Sequence, residues 1–117
     1  MIRTLVFYII LITQFSSSAQ QFELVGEIGE FENASSFFIN QTGFIFISDI
    51  QRNEISKYDT AGNKIISIGG YGWNESSFDE PVDIYATTLD VYVTDMNNHR
   101  IQIFDKLANY SDPQFNI

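Results

Sequence analysis

An all-β fold is what this 117-residue sequence predicts, and three observations carry that prediction. Short runs rich in Ile, Val, Phe and Tyr recur between Gly, Asn and Asp clusters, the alternation expected of strands and tight turns. Several of these runs are apolar on both faces: Ile45 and Ile47 alternate with Phe44 and Phe46, and Val91 and Val93 alternate with Tyr92. Such strands need a packed neighbour on each side of their sheet. Beyond the first twenty residues, helical periodicity is hard to find.

Those first twenty residues, MIRTLVFYIILITQFSSSAQ, read differently. One basic residue, Arg3, precedes an apolar run from Leu5 to Ile12 and a small polar stretch ending Ser17-Ser18-Ala19. That order predicts a signal peptide over residues 1–19, with Ser17 and Ala19 at the minus-three and minus-one sites and a mature chain beginning at Gln20 or Gln21. The run falls well short of the about 20 apolar residues that span a bilayer, so no integral membrane segment is expected after cleavage. The expected location is secreted, periplasmic or cell surface.

Eight strands are then expected, over Phe22 to Ile28, Ser36 to Gln41, Phe44 to Ser48, Glu54 to Asp59, Lys64 to Ile68, Val82 to Thr87, Asp90 to Thr94 and Arg100 to Asp105. The stretch FIFISDIQRNEISKYD, Phe44 to Asp59, aligns with DVYVTDMNNHRIQIFD, Asp90 to Asp105. Ile45 falls on Val91, Phe46 on Tyr92, Ile47 on Val93, Asp49 on Asp95, Ile55 on Ile101, Tyr58 on Phe104 and Asp59 on Asp105. Upstream, IGEF, Ile28 to Phe31, matches IGGYGWNESSF, Ile68 to Phe78, with extra residues inserted in the second copy. A period of about 45 residues with four strands per unit is the signature of propeller blades.

The expected organisation is therefore a partial β-propeller of about two four-stranded antiparallel blades. Residues 20–30 hold an N-terminal strand, a candidate outer strand of another blade. Residues 31–70 make the first blade, residues 71–108 an incomplete second one, and residues 109–117 a tail. A ring takes about four to eight blades. The expectation is a piece of a larger propeller, or a protomer that needs self-association or further blades to close a ring.

The second unit resembles the NHL repeat. The residues that carry the resemblance are Gly69, Gly70, Gly72, Phe78, Pro81, Val91, Tyr92, Val93, Asp95, Asn98, Arg100, Ile101, Gln102, Phe104 and Asp105. The first unit is degenerate: Ser35 stands where Pro81 predicts proline, Arg52 replaces Asn98, and Glu54 replaces Arg100. The resemblance implies a rigid interaction platform that takes a protein, peptide or glycan on its loop faces, without a cofactor and without catalysis. The alternative it implies is a fragment of a six-bladed propeller enzyme of the metal-dependent lyase or lactonase type. A multi-histidine metal site is excluded, because His99 is the only histidine.

Charge narrows the partners. With 15 acidic against 6 basic side chains, a formal net charge of −9, the chain repels phosphate backbones, and nucleic acid is not an expected partner. It has no cysteine, hence no disulfide framework and no cysteine metal site.

The repeat's polar residues Asp49, Asp95, Asn97, Asn98 and Arg100 are expected to be structural. Met96 to His99 forms a hairpin turn in which Asn97 and Asn98 bond local backbone and accept positive φ, while Asp95 and Arg100 end its two arms as an ion pair. The ligand-binding candidates are Tyr71 and Trp73, paired aromatics in the inserted Gly-rich loop; the competing role for Trp73 is packing over an exposed edge. No catalytic or metal-ligating residue is singled out. Four triplets, at Asn33, Asn40, Asn74 and Asn109, fit the N-glycan acceptor pattern.

Overall fold

The computed structural model describes residues 23–111 and the backbone of residues 115 and 116. The signal peptide expected over residues 1–19 and the first residues of the expected N-terminal strand lie outside the described residues. The described chain is all β: β1 (Ala34–Ile39), β2 (Ile45–Asp49), β3 (Glu54–Tyr58), β4 (Lys64–Gly69), β5 (Pro81–Ala86), β6 (Asp90–Asp95), β7 (Arg100–Asp105) and β8 (Phe115–Asn116). They form two antiparallel sheets in sequential order, β1-β2-β3-β4 and β5-β6-β7-β8. No described helix is long and apolar enough to cross a membrane.

Each sheet is a meander because its turns are short and carry the right side chains. Asp59 Oδ1 accepts from the backbone amides of Ala61 and Asn63, both at 2.9 Å, and Asp59 Oδ2 accepts from Asn63 Nδ2 at 3.0 Å. Asp105 repeats the arrangement with Leu107 and Asn109. These side chains replace the backbone partners that a tight turn loses. The side-chain amides of Asn63 and Asn109 are the chief reason that both carboxyls sit below their ordinary pKa.

The core lies between the sheets. Phe46 and Ile55 of the first sheet pack with Phe78, Ile84, Ala86, Val91, Val93 and Phe104 of the second, and Phe38, Phe44 and Ile68 close the margin. Phe78 and Phe104 are wholly buried, with ring centroids 5.9 Å apart. Lys57 crosses the seam. Its ammonium lies 4.1 Å from the Phe44 ring centroid and donates to the Lys106 carbonyl at 2.8 Å. Burial, the largest influence on Lys57, holds its pKa below the ordinary lysine value.

The register sharpens the repeat. Asp49 pairs with Ala34 and Asp95 pairs with Pro81, each next to a bulge, so the structural counterpart of Pro81 is Ala34 and not Ser35. Between the counterpart pairs Ile39–Ile45 and Ala86–Val91, the first sheet's turn holds one residue more, and this shifts the first strand relative to the alignment of the second and third. Ser35 instead lies in the bulge, where its hydroxyl shares a hydrogen bond with Ser48 Oγ at 2.7 Å and donates to the Pro81 carbonyl at 3.1 Å.

Two expected elements differ. Glu23 to Glu30 run without strand pairing, so no strand forms over the described part of Phe22 to Ile28, and Val25 stands 97% exposed. A strand exists only against a partner edge, and the edge expected for this one belongs to another blade. At its end the segment turns onto the first sheet, where Phe31 meets Tyr58 edge-on at 6.0 Å. At the other terminus, the stretch read as a tail contains β8, which pairs Phe115 with Ile101 and Asn116 with Arg100. The second sheet thus has the fourth position of the first, filled by a strand of two residues where β4 has six. Its shortness, and the lack of an alternating apolar run ahead of it, hid it in the sequence.

Candidate functional site

At one end of the second sheet, the β6–β7 hairpin supports a loop. Asp95 is fully buried at the top of β6, and Arg100 begins β7 directly opposite. Their contact, Arg100 Nε to Asp95 Oδ2, is 2.8 Å. Asn98 Nδ2 and Gln102 Nε2 donate to the same oxygen at 2.9 and 3.3 Å, while Asp95 Oδ1 accepts from the Asp79 amide at 2.8 Å. A carboxylate stripped of water in this way is stable only because four donors replace its hydration.

The same side chains then reach outward. Arg100 donates to the carbonyls of Trp73 at 2.8 Å and of Asn74 and Ser77 at 3.0 Å each. Asn98 Nδ2 donates to the Gly72 carbonyl at 2.8 Å, and Gln102 takes the Ser77 carbonyl and the Ser76 amide at 2.7 and 3.1 Å. The loop's ends are tied by its own backbone, with Phe78 N donating to Gly70 O at 2.9 Å and Gly72 N to Phe78 O at 3.0 Å. Gly69 makes the entry possible: its φ is +134°, and a Cβ there would collide with the Asn53 carbonyl oxygen.

Tyr71 and Trp73 therefore project from a fixed backbone. Tyr71 is 73% exposed and Trp73 is 69% exposed. The Trp73 carbonyl is held by Arg100 beneath the loop.

The turn residues divide their work differently from the expectation. Positive φ falls on His99 at 52°, and on its counterpart Asn53 at 53°, rather than on Asn97 or Asn98. Asn97 instead donates to Asp79 Oδ1 at 3.1 Å. Asn98 is buried and joins the Asp95 cluster, and its Oδ1 has no hydrogen-bond partner among the described residues. Asn53 was not singled out from the sequence, yet it joins the two sheets: its side chain accepts from the Glu80 amide and its carbonyl accepts from the Gly70 amide, each at 2.8 Å. Gln102 was noted only as part of the repeat motif. Its type was the signal, since an amide in the middle of an otherwise apolar strand needs buried partners on both ends of its side chain.

The first sheet keeps Asp49 but not the loop. Asp49 accepts from four backbone amides, those of Glu32, Asn33, Gln51 and Arg52, at 2.7 to 3.1 Å. Burial pushes its pKa up, and these amides outweigh that and hold the carboxyl below its usual value. Arg52 extends outward to the Glu30 carbonyl at 2.8 Å and to Glu32 at 3.4 Å. Glu54, the counterpart of Arg100, turns sideways to Lys64 at 3.3 Å.

Of the four glycan-acceptor triplets, Asn40 is closed to modification in the fold. It is buried, its Nδ2 donates to the Thr87 carbonyl at 3.1 Å, and its Oδ1 accepts from Thr42 and Phe44. Asn33, Asn74 and Asn109 are exposed. Among the described residues, no three of His, Cys, Asp and Glu converge as a metal cluster would.

Two sequential antiparallel meanders packed face to face are consistent with blades of a partial propeller. Residues 78–104 match the family model of the NHL repeat, so the chain carries an NHL repeat over the inner strands of its second sheet. No curated protein matches the chain. NHL repeats are typically protein-interaction modules.

Proposed function

We propose that this chain is a secreted or periplasmic NHL-type binding module whose ligand, a protein, peptide or glycan, is contacted by Tyr71 and Trp73. It binds and does not catalyse. The observation that carries this reading is the contrast within one loop: its carbonyls are tied down by Arg100, Asn98 and Gln102, while its two aromatic side chains face solvent. Aromatic rings on a pre-ordered backbone lose little entropy on binding and offer large apolar faces, the profile of interface anchors and sugar-stacking platforms. Export is supported by the charged, apolar and small-residue order of the first nineteen residues.

Trp73 is the chain's only tryptophan, so its emission reports directly on the loop. Titration with panels of oligosaccharides and peptides is expected to shift or quench that emission saturably for one class. The Tyr71→Ala variant is expected to weaken the same titration at least tenfold without changing the unfolding midpoint. Binding to a member of either panel that leaves the emission unchanged and tolerates Tyr71→Ala would place the ligand elsewhere.

A further inference from the structure

Among the described residues, Arg52, Lys64 and Arg100 each lie against a carboxylate, at 3.4, 3.3 and 2.8 Å. Lys57 and Lys106, the other lysines and arginines of that stretch, form no ion pair with any described carboxylate. Both line one cleft of about 290 Å³ at the end of the strands opposite the aromatic loop. The chain carries 15 acidic side chains, yet among the described residues none lines this cleft.

Three turns converge to build it. Asn40 Nδ2, in the turn from β1 to β2, donates to the Thr87 carbonyl in the turn from β5 to β6 at 3.1 Å. Lys57 Nζ ties in the turn after β7 through the Lys106 carbonyl at 2.8 Å. Phe44, Phe46, Val91 and Leu107 supply apolar lining, with Phe46 and Val91 buried. Both sheets contribute to the walls, so the cleft is internal to the pair and separate from the open outer faces.

An ammonium has three N–H donors. That of Lys57 has one oxygen acceptor, the Lys106 carbonyl, and the face of the Phe44 ring. A half-buried cation in that state is costly until an opposite charge or further acceptors replace its lost water. Burial lowers the Lys57 pKa, and the nearby Asp105 charge raises it by less. We infer that the cleft binds a small organic monoanion, a carboxylate with an apolar body, whose head meets Lys57 and Lys106 while its body lies against Phe44, Phe46, Val91 and Leu107. The volume sits at the small end of ligand pockets, about 300–1,000 Å³, and suits a small molecule. Asp105, close enough to act on Lys57, disfavours a dianion such as phosphate. This inference is independent of what the aromatic loop binds.

The test is titration of the intact chain with benzoate as the probe, at fixed ionic strength, followed through its backbone amide resonances. Saturable shifts are expected at Phe44, Lys57 and Leu107 and not at Tyr71 or Trp73. Benzyl alcohol, the ring without the charge, and inorganic phosphate, the charge without the ring, are each expected to bind at least about tenfold more weakly, as is benzoate to the Lys57→Met variant. In case that variant unfolds, Lys106→Gln changes an exposed side chain and keeps the carbonyl that holds Lys57, and it is expected to weaken benzoate binding several-fold. No saturation at millimolar benzoate overturns the inference. So does equal binding of benzyl alcohol, which makes the cleft merely apolar, or of phosphate, which makes it a site for an adventitious ion only. Benzoate binding that survives unchanged in a folded Lys57→Met or Lys106→Gln chain overturns it as well.

Discussion

Asp49 and Asp95 occupy the same position in the two sheets and are held in opposite ways. Asp49 is satisfied by four backbone amides, and Asp95 by one amide and three side chains. The difference follows the length of the chain arriving at each sheet. Into the first sheet, Phe31 is reached directly from Gly29 and Glu30, and Asp49 can cap the incoming backbone alone. Into the second, an inserted loop brings several more carbonyls that need donors, and Asn98, Arg100 and Gln102 supply them. In the first sheet those positions are Arg52, Glu54 and Ser56. The motif's polar residues are thus matched to the loop, and where the loop is absent other side chains stand at those positions.

This contrast is broken most directly at Arg100. Arg100→Ala leaves Asp95 buried with an uncompensated charge and removes one donor from each of three loop carbonyls, so it is expected to destabilise the fold by about 3–5 kcal/mol. Glu54→Ala, at the matching position, removes a half-exposed pair with Lys64 and a hydrogen bond accepted from Ser56, and is expected to cost about 1 kcal/mol. Urea unfolding followed by far-ultraviolet circular dichroism measures both. Comparable losses would mean that the buried cluster does not support the loop.

The core repeats the contrast with apolar side chains. Phe104 is fully enclosed between the sheets, and Phe104→Ala is expected to cost about 3–5 kcal/mol. Tyr58, its counterpart, is buried mainly beneath Phe31 and the entering segment, which can close over a cavity. Tyr58→Ala is expected to cost less than Phe104→Ala, and His99→Ala in the exposed turn less than either. The same unfolding experiment ranks the three, and a Tyr58→Ala loss equal to that of Phe104→Ala would remove the distinction between a closed and an open sheet face.

Most of the architecture was legible because it is written in alternation and in repetition. Ile45 to Asp49 and Val91 to Asp95 declare strands by period two and declare each other by alignment. What escaped depended on partners that a sequence does not display. The segment around Leu24 has strand composition, yet it pairs with no strand among the described residues. Phe115 and Asn116 form a strand only because β7 offers them one. The shift that makes Ala34 the counterpart of Pro81 comes from one residue in a turn, invisible until hydrogen bonds fix the register. At the site, the Asp95–Arg100 pair could be inferred from a hairpin's two arms. The loop carbonyls that explain Arg100 could not, because carbonyls carry no residue identity.

The finest test of the comparison is Arg52, which stands where the second sheet has Asn98. Arg52 lies 3.9 Å from Asp49, 3.4 Å from Glu32 and 2.8 Å from the Glu30 carbonyl, and its side chain is 37% exposed. That is a reduced version of what Arg100 does, reaching from the hairpin to the incoming chain, but carried out in water. Exposed pairs of this kind contribute about 0.2–1 kcal/mol, and salt screens them. Arg52→Ala is expected to lower stability within that range, and the deficit should shrink as sodium chloride is raised from about 0.05 to about 1 M. The Arg100→Ala deficit, set by desolvation and not by screened attraction, should change little over the same series. If both deficits fall with salt, the Asp95 cluster is wetter than its geometry implies, and the two sheets hold their incoming chains by one mechanism instead of two.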